Sequence, residues 1–424
     1  MLFPWQEWWL LPVILGASVL VGLLAGLYPS FYLSSFKPVK VLKGSLQAGS
    51  TRSGFRNGLV IFQFTTSIIL IIGTLVTYQQ MQYVLNKDVG FKKDQVLEIY
   101  DTYTLGNRMG TFKKELLQLP QVSHATVSGH LPIAGTKRNM NMFWEEGKTD
   151  GDNGVQTQLW NVDHDYIKTM GMNVVKGRDF SIDLPTDSQA VIINQAMARQ
   201  LGFDNPVGKR ITNKGAVYNV IGVVGDFNFE SLKDNITPVC FTLGNESSIV
   251  SAKIKTSDIA GTIQSVKKVW KSFSPDQPFR YGFLDESFAN TYKDVQGMGR
   301  ILTNFAMLAI ILACVGLLAL SAFMAEQRSK EISIRKVLGA SAGTIFGLLT
   351  KNFLILVLVS LVIAVPIGWY MMQKWLEDFA YRISIGWEVF VLAGLAAVFI
   401  TLITISFQSI RAAIVKPIDS LREK

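Results

Sequence analysis

The sequence predicts an α-helical membrane protein with about five transmembrane helices and a large extracytoplasmic α+β domain. Three observations carry that fold class. Charged residues make up 17% of the 424-residue chain and apolar ones 49%, where an ordinary soluble domain is about a quarter charged. The mean hydropathy is +0.27, and the apolar residues are gathered into blocks long enough to cross a bilayer. One long polar stretch, residues 81–300, separates the second block from the third.

The net charge of +9 raises the question of nucleic acid, and its distribution answers it. Residues 81–300 hold 25 Lys/Arg and 24 Asp/Glu. The short segments 34–57, 325–351 and 409–424 hold fourteen basic residues against four acidic ones. Basic residues confined to short loops beside apolar runs mark the cytoplasmic side of a membrane. They do not make the broad basic face that binds nucleic acid.

The elements follow in order. The opening MLFPWQEWW lacks the basic n-region of a signal peptide, and Trp5, Trp8 and Trp9 suit a membrane interface. Residues 10–33 form the first span, entering from outside, because Lys37, Lys40 and Lys43 follow it. Residues 45–56 are a Gly/Ser-rich cytoplasmic linker, and 58–78 form the second span. Thr65, Thr66 and Ser67 within it are expected to bond back to carbonyls of their own helix. Residues 79–89 extend that helix as a stalk.

In the polar stretch, residues 96–100 and 122–128 read as strands around a helix at 108–118. Residues 249–255 and 279–284 read as strands around a helix at 259–273. These two β-α-β units flank a middle portion with strands at 155–162 and 217–224 and a helix at 189–201. The economical arrangement is two lobes, one inserted in the other. Gly177, Gly208 and Gly222 suit tight turns or close backbone approach, and Asn194 and Asp179 suit caps or turns. Residues 285–300 have helical spacing and lead into the third span, 301–324. The fourth, 353–372, carries Pro366 as a kink, and the fifth is 389–407. Arg411, Lys416, Arg422 and Lys424 put the C-terminus inside.

Between the third and fourth spans lies EQRSKEISIRKVLGAS, residues 326–341. Ile334, Val337, Leu338 and Ser341 recur at i, i+3, i+4 and i+7, one stripe of a helix, with the charges towards the other side. Gly339 is a C-terminal stop. The spacing allows a topology-setting basic loop or an amphipathic helix that meets a partner. A short repeat also appears: Lys37-Pro38-Val39 with Leu42-Lys43 recurs as Lys416-Pro417-Ile418 with Leu421-Arg422, at a constant offset of 379 residues.

In that context the segment from Arg328 to Ser341 resembles the coupling-helix motif of MacB/FtsX-like ABC-transporter permeases, with Ser333 where family forms often carry Gly. The polar stretch is similar to their periplasmic core domain at Tyr166…Met170-Gly171, Gly177-Arg178-Asp179-Phe180 and Val191-Ile-Ile-Asn194. Asn205-Pro206-Val207-Gly208-Lys209 and Val220-Ile-Gly-Val-Val-Gly-Asp226-Phe227 match as well. The resemblance covers residues 58–424. It implies residues 58–80 as a transmembrane helix, 81–300 as a MacB-like core domain, and 301–424 as an FtsX-like domain with three spans. Residues 1–57 resemble the end of a preceding unit, so the chain is expected to be the C-terminal half of an eight-span, two-unit permease.

What the resemblance implies for function is a permease subunit that passes an ATP-driven conformational change to its outer domain, for export or envelope extraction. It places ATPase coupling on Arg328, Glu331, Ile332, Arg335, Lys336, Leu338, Gly339 and Ala340. The implied partners are a cytoplasmic ABC ATPase, a second permease unit or homodimer, and an outer-membrane or periplasmic protein, in a bacterial inner membrane. A regulatory envelope sensor coupled to the same ATPase is the alternative. No cofactor is expected on this chain: GxxxxGK[ST] is absent, so ATP would be hydrolysed by the partner. HExxH is absent too, which argues against an enzyme. His124, His130 and His164 lack metal-ligand spacing. Asp226 and Glu230 could pass for a catalytic pair but read better as a solvated turn. Cys240 and Cys314 fall in different regions and are expected to stay unpaired.

Overall fold

The structure, a computed structural model, describes residues 9, 11–13, 15, 16, 18–20, 22, 23, 50–148, 154–244, 248–327, 334, 335, 338 and 341–414. The chain divides into a unit of Met1–Ile61 and a unit of Phe62–Lys424. In the first unit, apolar helical residues lie within Leu11–Leu20. Gly22 and Leu23 are helical as well, and the remaining residues of the expected first span lie outside the described residues.

Among the described residues, four helices are long and apolar enough to cross a membrane. They are α1 (Ser50–Asn86), α7 (Lys293–Gln327), α8 (Ala342–Leu376) and α9 (Trp387–Ile414). At 1.5 Å per residue, α1 and α7 run to about 50–55 Å, well beyond a hydrocarbon core of about 30 Å. Residues 79–86 of the expected stalk are therefore the outer end of α1, which stops at Asn86. The core stripe of α1 repeats at i, i+4: Phe64, Ile68, Ile72, Val76, then Gln80 and Val84, all buried. Glycines let neighbours approach it. A Cβ on Gly368 of α8 would lie 3.0 Å from Ile72, and one on Gly316 of α7 would lie 3.1 Å from Gln63. Small residues at such crossings are how membrane helices gain close packing.

Within α1, Thr66 and Ser67 bond back to Phe62 and Gln63, as their positions predict. Thr65 instead donates across to the Ser360 carbonyl of α8 at 3.4 Å. Ser360 turns its own hydroxyl back to Leu356. Pro366 sits inside a continuous α8. That helix starts earlier than the apolar run alone predicts, because Ser341 caps it by accepting from Thr344 N–H at 3.3 Å. Ser341 thus belongs to α8 and not to the amphipathic stripe.

Among the described residues, the outer domain is built on an eleven-stranded sheet. Its strands are β1 (Val96–Tyr100), β2 (Val122–Ser128), β3 (Met140–Glu145), β4 (Val155–Val162), β5 (Val174–Gly177) and β6 (Ala190–Asn194). The others are β7 (Arg210–Asn213), β8 (Ala216–Val224), β9 (Val239–Leu243), β10 (Ile249–Ile254) and β11 (Tyr281–Phe283). The terminal strands lie in the order β11-β1-β10-β2 with antiparallel pairing throughout. The two β-α-β units therefore interdigitate. Their helices, α2 (Met109–Leu117) and α5 (Ile259–Phe273), share a core with Leu97, Ile99, Val250 and Ala252. Phe112 and Trp270 meet edge-to-face there at 5.8 Å.

The middle strands follow as β4-β3-β7-β8-β6-β9, and β9 returns to pair with β4 in parallel, so six strands close into a ring. Each of those strands thereby has a pairing partner on either side. Among the described residues, the two strand groups pair with each other only at Ser128–Val162. Residues 189–201 are not one helix: Ala190-Val-Ile-Ile-Asn194 is β6, and only α4 (Gln195–Gln200) is helical. The run of β-branched side chains favours the strand. Asn194 then ends it, accepting from Met197 N–H at 3.0 Å as the cap of α4. Gly177 and Gly222 face each other across β5 and β8, where a Cβ on either would lie within 2.3 Å of a backbone oxygen.

Candidate functional site

The expected coupling residues come first. Arg328, Glu331, Ile332, Lys336, Gly339 and Ala340 lie outside the described residues, as does Val337 of the stripe; Arg335 and Leu338 lie within them. Leu338 N–H donates to the Ile334 carbonyl at 3.0 Å, the i, i+4 bond of a helical turn. Packed on the membrane helices, the stripe would be buried; its described members are not, Ile334 being 57% exposed and Leu338 80%.

The opposite ends of the membrane helices are wired into the outer domain. A single apolar cluster takes in Met81 and Val84 from α1, Phe227, Phe229 and Leu232 from the strand ring's last loop, and Tyr292 and Val295 at the start of α7. It also takes in Phe379 from the loop between α8 and α9. Short α6 (Leu284–Asn290), which leads into α7, adds Leu284 and Phe288.

Polar contacts lock this cluster. Gln80 has no exposed surface. Its amide nitrogen donates to the Tyr381 carbonyl at 2.9 Å, and its amide oxygen accepts from Ile383 N–H at 3.0 Å. One side chain on α1 thereby mimics a backbone partner for the α8–α9 loop. The other side of that loop pairs with the outer domain: Ala380 and Tyr381 N–H donate to the carbonyls of Lys233 and Leu232. Leu232 N–H in turn donates to the Tyr292 hydroxyl at 2.9 Å. Lys233 lies over Phe379 and Lys87 over Tyr381, at 5.1 and 4.6 Å from the ring centres. Gly90, just past α1, has φ +85° and touches the same segment; a Cβ there would lie 2.5 Å from the Asp226 carbonyl and 2.8 Å from Phe227 Cβ.

A buried acid lies beside the path to α7. Glu98 of β1 has no exposed surface. One carboxylate oxygen accepts from the Tyr100 hydroxyl at 2.5 Å and from Ser287 of α6 at 3.3 Å; the other has no hydrogen-bond partner among the described residues. Burial pushes this carboxyl above the usual carboxylate range, the two hydrogen bonds oppose the rise, and Asp285 adds to it.

The polar residues that looked like alternatives are structural. Asp226 accepts from Ala196 N–H at 2.7 Å and from Arg199 at 2.5 Å, and Glu230 pairs with Arg138 at 3.5 Å. Cys240 and Cys314 are free thiols. No cluster of potential metal ligands occurs among the described residues. Sequence reasoning missed Gln80 and the 380–383 loop. The signal for Gln80 was present, since it is the polar member of the stripe Ile72, Val76, Gln80, Val84.

Comparison with known proteins gives two family matches. Residues 64–263 match the MacB-like periplasmic core domain, and residues 304–417 match the FtsX-like permease C-terminal domain. The uncharacterized ABC transporter permease YknZ of Bacillus subtilis is 24% identical over 307 residues, covering 68% of this chain and 74% of that protein. The macrolide export ATP-binding/permease protein MacB of Neisseria gonorrhoeae is 26% identical over 199 residues, 44% of this chain but 31% of that protein's length. Among solved structures, the periplasmic region of MacB from Actinobacillus actinomycetemcomitans aligns with a TM-score of 0.35 at 15% identity. It covers 48% of this chain and 94% of that one.

Proposed function

Because this chain belongs to the MacB/FtsX-like family of ABC-transporter permeases, we propose that it carries an ATP-driven movement from a cytoplasmic ATPase to its outer domain. The observation that carries this reading is the Gln80 clamp with its surrounding cluster. Any shift of α1 against α8 must either break two buried hydrogen bonds or drag the 380–383 loop with it. That loop is bonded to Leu232 and Lys233, so the movement arrives in the outer domain. Leaving a buried donor or acceptor unpaired costs about 1–3 kcal/mol, so dragging is the cheaper response. The interdigitated sheet and the strand ring are read as two lobes, one inserted in the other, hinged near Ser128–Val162.

The ATPase is a separate protein and binds at residues 326–341. Exposed Ile334 and Leu338 leave an apolar stripe to be covered there. The membrane is a bacterial cytoplasmic membrane, and export or extraction of a substrate is the work done. The test is affinity purification of the full chain from native membranes. Wild type should bring down an ABC ATPase, and Glu331→Lys and Arg335→Glu should lose it while inserting at normal levels. Retention of the ATPase by both variants would reduce the segment to a topology loop.

A further inference from the structure

We propose that the outer domain carries a binding groove for a small amphiphilic anion, on the face of β3 beside the β7–β8 hairpin. The groove encloses about 740 Å³, within the size range of small-molecule sites. Its floor is the outward face of β3, where Met140, Met142 and Trp144 follow one another at i, i+2 and i+4. Pleat alternation buries Phe143 on the opposite face and would ordinarily leave polar residues on this one. Met140 and Met142 are instead 46% and 39% exposed. Thioethers and an indole in a row make an adaptable apolar surface.

The second observation is the charge. Lys148 and Lys214 line this groove, and no carboxylate does among the described residues. Lys148 is shared with Glu145 at 3.0 Å, whereas Lys214 makes no ion pair among the described residues. The third observation is how Lys214 is held. It occupies the first central position of a two-residue hairpin, with φ +47° followed by Gly215 at +82°, between paired Asn213 and Ala216. Such turns favour Asn-Gly or Gly-Gly, so a lysine there is a strained choice. Asn213 fastens the hairpin tip to the floor, its side-chain amide donating to the Met142 carbonyl at 2.7 Å. An apolar floor with an ammonium-bearing side chain at its edge complements an apolar body bearing one acidic group. A cation or a neutral alcohol lacks that complement.

The test uses the full chain in lipid nanodiscs with ¹³C-methyl-labelled methionine, the two resonances being assigned from Met140→Leu and Met142→Leu. Octanoate is the probe, with octylammonium and octan-1-ol as comparisons. Octanoate should shift both methyl signals saturably, and the other two should not. Lys214→Gly relaxes the turn, so misfolding cannot account for its effect; it should weaken octanoate binding roughly fivefold, while Lys214→Arg should retain it. Equal shifts with octylammonium, unchanged binding in Lys214→Gly, or no saturable shift with octanoate would each overturn the proposal.

Discussion

The two ends of the membrane helices are built differently. At the outer end, α1, α7 and the α8–α9 loop are bonded to the outer domain through Gln80, Tyr292, Leu232 and Tyr381, inside one apolar cluster. At the cytoplasmic end, the described residues of the segment between α7 and α8 expose their apolar side chains, Ile334 and Leu338. The outer end satisfies its own backbone groups within the chain. Under the proposed function, the first end transmits the movement and the second receives the ATPase.

That contrast can be broken from either end. The largest effect is expected from Gly90→Val, which forces a β-branched residue into φ +85° and drives Cβ into Asp226 and Phe227. Overpacking and strain together should cost more than about 3 kcal/mol. Protease resistance of the outer domain in membranes should fall, with insertion of the four helices unaffected. Next, Gln80→Leu leaves the Tyr381 carbonyl and Ile383 N–H without their partner, at about 1–3 kcal/mol each before relaxation. Hydrogen exchange should speed up across 377–386 and 231–233, while ATPase binding stays at the wild-type level. Charge reversal at Glu331 or Arg335 should do the converse: lost ATPase, unchanged exchange in the outer domain. If either class of variant disturbs both readouts, the two ends are not separable.

The smallest effects are electrostatic. Burial pushes the Asp179 carboxyl up to about 6, against the hydrogen bond from Phe180 N–H. The folded protein therefore holds this proton more tightly than the unfolded chain, so stability falls as pH rises from the ordinary carboxylate range to about 6. Asp179→Asn should flatten that part of a melting-temperature profile. Glu98→Gln should act in the same sense, stabilising the domain more at high pH than at low pH, because Glu98 is also raised by burial. Asp187 runs the other way. Its bidentate pairing with Arg178 at 2.6 and 2.7 Å lowers its carboxyl, so that contribution disappears on acidification.

Much of the fold was legible because it rests on local pattern. The strands at 96–100, 122–128 and 155–162 and the helix at 259–273 have the bounds that alternation and periodicity predict. Residues 189–201 misled, because an apolar run of that length fits a helix, and only Asn194 as a cap reveals where the strand stops. Ring closure by β9 on β4 was illegible, since parallel pairing between distant strands leaves no local mark. The site divides the same way. The apolar spacing of Ile334, Val337 and Leu338, with charges towards the other side, is readable in the sequence, while the coupling role of 326–341 stays an expectation. The outer lock depends on a loop carbonyl and a loop N–H meeting one glutamine some three hundred residues away in sequence, and backbone partners carry no residue signature.

The central claim is that movement passes through the Gln80 lock. The direct measurement is hydrogen exchange of the permease–ATPase complex in nanodiscs, with and without ATP and vanadate, for wild type and Gln80→Leu. In wild type, ATP should change exchange at 377–386 and at 224–234 together. In Gln80→Leu, ATP hydrolysis should continue while the change at 224–234 is lost. An ATP-dependent change at 224–234 that survives intact in Gln80→Leu would contradict the account, because the movement would then reach the outer domain by another route.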